Sequence, residues 1–287
     1  MKTLYKNIVL LVATAVLFAS CSSDDNTTDY NSEENPITEK YLVYESIDEG
    51  LEWHVYSENK ELEVGYNEFF VTIKEVETEN YLQNVTIDWM PMMYMHGMAH
   101  SAPYSNLSNA ENPKVYQGYV VFQMAGNNEE YWELDISYSV DGKSVERSIP
   151  IDVVQPLDGM VKTQSFVGND EQNYVLAYVA PTKPEVATNY MLAVLYKMDD
   201  MHNFSIVENY IIALDPRMPG MGNHSSPNNK DLEYNSDTGF YEGKLSMTMT
   251  GYWRLNLQLL NTDGQVLKGE EITEEHPNSS LYFELEF

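Results

Sequence analysis

The sequence predicts an all-β protein, two tandem antiparallel β-sandwiches behind an export leader and a flexible tether, and three observations predict it. Beyond residue 38 the chain runs in short stretches rich in Val, Ile, Tyr, Phe and Trp, broken by clusters of Gly, Asn, Asp and Pro. Several stretches alternate with period two, as "YVVFQM" (119–124) and "KLSMTM" (244–249) do, while "FFVTIKEV" (69–76) and "YMLAVLY" (190–196) read as compact apolar strands. Finally, the chain repeats itself, so that each half carries one such set of strands.

The leader comes first in chain order. Lys2 and Lys6 precede a mostly apolar run from Ile8 to Ala19, which ends in small residues before the only cysteine, Cys21. A run this short does not span a bilayer, and its flanks are those of an export signal cleaved ahead of Cys21. The segment "LFASC" (17–21) resembles the lipobox of a bacterial lipoprotein, with Phe18 where that pattern usually has leucine. Residues 1–20 are therefore expected to be a signal peptide and Cys21 the lipidated residue that anchors the chain in a membrane. Residues 21–38, nearly devoid of apolar side chains, are expected to form an acidic, flexible tether. Its "SSDD" resembles the acidic signal that directs lipoproteins of one Gram-negative phylum to the outer membrane, so the expected location is the cell envelope.

With Cys21 lipidated, no thiol remains for a disulfide or a thiolate metal site. Loss of Lys2 and Lys6 with the leader takes the formal charge from −29 to −31, which argues against a nucleic-acid partner.

Four blocks define the repeat. "LEWHVYSENKELEVGYNEFFVTI" (51–73) lies over "NYVLAYVAPTKPEVATNYMLAVL" (173–195), matching Tyr56 with Tyr178, Glu63 with Glu185 and Asn67 with Asn189. "MPMMYMH" (90–96) lies over "MPGMGNH" (218–224), "YQGYVVFQMAG" (116–126) over "YEGKLSMTMTG" (241–251), and "YWEL" (131–134) over "YWRL" (252–255). Residues 131–154 read as a hairpin turning at Asp141-Gly142. The spacing of strands and turns suggests an immunoglobulin-like sandwich at 39–155 and a second at 156–287, divided near the turn signal that begins at Gln155-Pro156. Trp132 and Trp253 are expected in the two cores.

The chemistry concentrates in "MPMMYMHGMAH" (90–100) and "MPGMGNHSSP" (218–227), which contain Pro and Gly and read as loops between strands. Thioethers are soft donors suited to Cu(I), and imidazole serves either copper oxidation state, so a Met/His set without cysteine points to copper. The expected donors are Met93 and His96 in the first unit and Met221 and His224 in the second, three residues apart in each. Met90 or Met218 would add a third ligand, and Met124 or Met249 could approach from a neighbouring strand. The first unit further offers Met92, Met95, Met98 and His100, and so should bind more tightly or hold more than one ion. The pair Met201-His202 reads as a surface turn after Asp199-Asp200.

"DPRMPGMGNHSSPNNKDLEYNSDTGFYEGKLSMTMTGYWRLNLQL" (215–259) is similar to the YtkA-like domain, a relative of the FixH-like proteins, and the corresponding part of the first unit looks like a divergent copy. The resemblance implies a small β-sandwich outside the cytoplasmic membrane. It carries Met218, Pro219, Met221, His224, Met249, Gly251 and Trp253 onto the family motif, and Met90, Pro91, Met93, His96, Met124, Gly126 and Trp132 in the first copy. FixH-like relatives are associated with copper supply to respiratory oxidases, so the implied partners are a copper-transfer protein or an oxidase under assembly.

The expected function is a non-enzymatic, membrane-tethered copper-binding protein that buffers or delivers copper through Met/His loops. The competing class is a cell-surface adhesion or assembly module in which the methionine loops form an adaptable apolar contact. A hydrolase finds no support, since G-x-S-x-G, H-E-x-x-H and a Gly-rich phosphate loop are all missing from the sequence.

Overall fold

Alternation builds the strands. Residues 51–57 send Leu51, Trp53 and Val55 inward and leave Glu52 and His54 half-exposed, and residues 252–260 bury Trp253, Leu255, Leu257 and Leu259 in the same rhythm. The computed structural model describes residues 33–140 and 143–287, and Glu33–Phe287 cluster as one unit. The expected leader, Cys21, the tether as far as Ser32 and the turn Asp141-Gly142 lie outside the described residues.

Eleven strands make the first half: β1 (Tyr41–Asp48), β2 (Leu51–Ser57), β3 (Leu62–Glu63), β4 (Gly65–Glu75), β5 (Thr86–Met95), β6 (Met98–Ser101), β7 (Ser108–Asn109), β8 (Tyr116–Phe122), β9 (Tyr131–Val140), β10 (Lys143–Ile151) and β11 (Val153–Val154). One sheet has the order β1-β2-β4-β8-β7 and the other β10-β9-β5-β6, with antiparallel neighbours throughout. A short parallel pairing of β11 with β3 ties the end of this half to its start.

The second half repeats the plan with β12 (Thr163–Val167), β13 (Asn173–Ala180), β14 (Thr188–Met198), β15 (Phe204–Ile206), β16 (Ile211–Met218), β17 (His224–Ser225), β18 (Lys230–Asn235), β19 (Phe240–Ser246), β20 (Tyr252–Leu260), β21 (Val266–Lys268) and β22 (Leu281–Glu286). Here β12-β13-β14-β19-β18 answers β1-β2-β4-β8-β7, and β22-β20-β16-β17 answers β10-β9-β5-β6. Pairing of β18 with β16 joins the two layers along one edge. In both halves the strand order is that of an immunoglobulin-like sandwich. Among the described residues no helix is long and apolar enough to cross a membrane.

Each sandwich has its own core. Trp53, Phe69, Trp132 and Leu134 are fully enclosed in the first, and Trp253, Leu255, Leu245 and Phe283 in the second. A third, smaller cluster packs Val121 of β8 against Val175, Ala177, Val194 and Tyr196 of β13 and β14, so the outer faces of two sheets meet between the sandwiches. There the Tyr119 and Tyr196 hydroxyls lie 2.7 Å apart, and burial pushes both phenols up so that they stay protonated.

The matched asparagines show why the first repeat block survives. Asn67 accepts from the Glu63 amide (3.0 Å) and donates to the carbonyls of Glu63 (2.7 Å) and Gly65 (2.9 Å). Asn189 accepts from the Glu185 amide (2.9 Å) and donates to the carbonyls of Glu185 (2.9 Å) and Ala187 (3.0 Å). One side chain thus closes the same turn in both copies.

Two expectations change. The segment "MPMMYMHGMAH" is not a loop: residues 90–95 belong to β5 and 98–101 to β6, with a turn at His96-Gly97. Pro91 is tolerated because β6 begins pairing only at Met92, so no ladder partner lies on that side of Pro91. The end of the expected tether is also engaged. Glu33 accepts from the Tyr81 amide (3.2 Å) and pairs with Lys114 (2.9 Å), and Asn35 donates to the Tyr56 hydroxyl (2.9 Å). These partners lie far along the chain, where composition gives no hint of them.

Candidate metal centre

The β5–β6 hairpin sorts its residues by face. Register places Met93 opposite His100 and Met95 opposite Met98, and directly opposed residues project to the same side of a sheet. On its other side Met93 faces Trp132 of β9. Four donors therefore share the inner face at one end of the first sandwich, beside a buried indole. They are graded in depth: Met93 is fully buried, Met95 packs partly against the core, His100 is half-buried, and Met98 is 54% exposed.

The imidazole is prepared for one role. The His100 Nδ1 lies 2.8 Å from the Ser101 carbonyl, which can only accept, so Nδ1 carries a proton and Nε2 is the nitrogen that the neutral ring would offer a metal. The His100 ring stands edge-on to Trp132 with centroids 5.7 Å apart. Trp132 is held in turn, its Nε1 donating to the Met124 carbonyl at 2.9 Å, and Met124 packs partly buried against the same core.

The remaining expected donors lie elsewhere. His96 is exposed in the turn, whereas Met93 is enclosed, so the expected Met93/His96 pair does not form. A strand between them, rather than a bent loop, separates the two side chains. Met90 faces the outer side of the sheet opposite Asp135 and lines a cleft of about 660 Å³ with Asp88 and Tyr104. Among the described residues no three His, Cys, Asp or Glu side chains gather in a metal-binding group.

The second sandwich arranges its set differently. β16 ends at Met218, a 3-10 turn covers Pro219–Met221, and β17 begins at His224, which pairs with Met218. Met218 is only 5% exposed and packs in the core, while Met221 is 59% exposed and His224 lies at the surface. Met249 repeats the role of Met124, its carbonyl accepting from Trp253 Nε1 at 3.0 Å. Gly251 has φ +122°, and a Cβ there would meet the Met218 ε-methyl at 3.2 Å. The Met-x-Gly pattern before the tryptophan therefore has a packing explanation: a carbonyl for the indole and space for a methionine.

Register also revises one repeat block. Pro91 faces Leu134 and Pro216 faces Leu255, two residues after Trp132 and Trp253 respectively. Pro91 therefore corresponds to Pro216 and not to Pro219. Met93 then answers Met218, and His100 answers His224, each pair being cross-strand partners. The other three blocks stand in their original register: Asn67 faces Val120 and Asn189 faces Leu245, and both tryptophans bond the matched methionine carbonyls. His100 was offered by the sequence as an additional donor. Its link to Met93 was detectable as two residues equidistant from a two-residue His-Gly turn.

No family model and no curated protein matches this chain. Among solved structures it is similar to FdeC, a broadly conserved Escherichia coli adhesin that elicits protection against urinary tract infections, at 12% identity and a TM-score of 0.24. The likeness covers 75% of this chain and 62% of that one, so the chain spans less than two thirds of the adhesin's length. So loose a superposition carries no functional assignment.

Proposed function

We propose that this chain is a non-enzymatic copper-binding protein of the cell envelope, anchored through Cys21, that buffers or delivers Cu(I) from the first sandwich. One observation carries the reading: three methionines and an imidazole whose Nδ1 is bonded to a carbonyl share one face of the β5–β6 hairpin beside Trp132. Soft, neutral donors select Cu(I) over the hard cations that an acidic surface would otherwise gather. The gradient of depth suits transfer, because Met98 stands in solvent to receive the ion while Met93 lies beneath it. The receiving partner would be a copper-transfer protein or a respiratory oxidase under assembly, and the kinship with YtkA-like domains belongs to the same reading.

Competitive titration against a chromophoric Cu(I) chelator, under reducing conditions, tests it. The native chain should compete for the ion, and Met95→Leu/Met98→Leu should lose most of that competition without unfolding. Absence of competition by the native chain would refute the copper reading and return the methionine face to partner contact.

A further inference from the structure

The second sandwich reaches the hairpin. The Ser101 amide, next in sequence to His100, donates to the carbonyl of Met201 at 2.8 Å. Met201 belongs to the turn between β14 and β15, the Asp199–Asn203 segment whose Met-His pair has no part in the site as described so far. Both backbone groups of Ser101 are engaged: its carbonyl accepts from His100 Nδ1, and its amide donates to the Met201 carbonyl.

The turn is stiff. The Asp199 amide donates to the Asn203 carbonyl at 2.9 Å, and Asp200 Oδ1 accepts from the amides of His202 (2.8 Å) and Asn203 (3.0 Å). Met201 stays 41% exposed although its backbone meets the first sandwich, and His202 is exposed beside it. The joint between the sandwiches is also fixed, by the apolar cluster around Val121 and by the facing Tyr119 and Tyr196 hydroxyls.

We infer that the Asp199–Asn203 turn completes the metal centre, with Met201 and His202 of the second sandwich joining Met95, Met98 and His100 of the first as donors to one soft monovalent cation. The inference rests on the copper reading above. It makes the centre a composite of both sandwiches, and it gives the edge of β6 a cover that doubles as a ligand arm.

The test uses the full chain in detergent, with Cu(I) as the probe under reducing conditions. Met201→Leu/His202→Ala is compared with Met95→Leu/Met98→Leu by chelator competition, and native-like circular dichroism is required of both. Met201 meets β6 through its backbone, so the leucine variant keeps that contact. The first variant should weaken Cu(I) binding at least about tenfold, the lower bound for losing even an outer-shell partner. X-ray absorption on copper-loaded Met201→Leu should show one sulfur scatterer fewer per ion than the native chain. Unchanged affinity and sulfur count in the Met201 and His202 variants, with binding lost in Met95→Leu/Met98→Leu, would overturn the composite centre and leave the first-sandwich site intact. No Cu(I) binding by the native chain would overturn both.

Discussion

Gly126 and Gly251 occupy the same place in the repeat, two residues after Met124 and Met249, yet their surroundings predict opposite responses to alanine. At Gly251 the backbone φ of +122° costs an L-residue about 1–3 kcal/mol. The added Cβ would also sit 3.2 Å from the Met218 ε-methyl, inside a core that leaves Met218 almost no exposure. Overpacking costs about 1–3 kcal/mol, and the flexible thioether keeps this part near ~1 kcal/mol. Gly251→Ala should therefore destabilise the chain by about 2–4 kcal/mol, a large share of a stability of about 5–15 kcal/mol. At Gly126 the nearest atom to a Cβ is the Glu130 carbonyl oxygen at 3.4 Å, an ordinary contact, and its φ lies outside the left-handed range. Gly126→Ala should stay within about 1 kcal/mol of the native chain. Urea unfolding followed by circular dichroism measures both, read as a shift in midpoint at constant slope. Equal losses in the two variants, or a Gly251→Ala loss below about 0.5 kcal/mol, would refute the packing explanation of the Met-x-Gly pattern.

Three further outcomes are expected. His100→Ala should weaken Cu(I) binding at least about tenfold while His96→Ala leaves it unchanged, in chelator competition; the reverse order would reject the hairpin register as the basis of the site. Asn67→Ala removes three hydrogen bonds at a buried turn, at about 1 kcal/mol net each, and should cost about 3 kcal/mol in chemical denaturation. Asn189→Ala should cost less, because water can reach the groups that it leaves unpaired. Glu270 accepts hydrogen bonds from the Ser280 amide and hydroxyl, chiefly the amide, which holds its carboxyl below the usual range. Its contribution is present above the unfolded value of about 4.3 and fades as pH falls through the lower folded value. Glu270→Gln should lower the melting temperature at pH 7 and have little effect near pH 2; an equal drop at both would show that the charge is not what matters.

The legible parts of the fold were those in which sequence and physics run in step. Alternating burial, the fully enclosed Trp132 and Trp253, and the match of Asn67 with Asn189 follow from patterns that the sequence itself contains. The methionine segment was harder for two reasons. Pro91 and Gly97 are loop signals, yet each occupies a position that a hairpin accepts: one beside an unpaired edge, the other in the turn with φ +84°. The second reason is degeneracy. A segment with five methionines can be slid along its copy and still find Met-Pro, and only the long-range pairing of Pro91 with Leu134 and Pro216 with Leu255 fixes the register. The contact between Ser101 and Met201 spans the two sandwiches, and no local pattern encodes it.

Duplication followed by unequal change accounts for the final arrangement. In the second copy Met218 sits in the core, filling the space that Gly251 leaves, and a 3-10 turn stands where the first copy has the tight turn between Met95 and Met98. Met218 is thereby committed to packing, and truncating a buried methionine costs about 2–5 kcal/mol. Met93 is equally enclosed, whereas in the next rung Met95 packs only partly against the core and Met98 is mostly in solvent. An exposed methionine opposite a half-buried one is poor use of apolar surface and good use of a soft donor. The second sandwich meets the first copy's hairpin elsewhere, through the backbone of its β14–β15 turn.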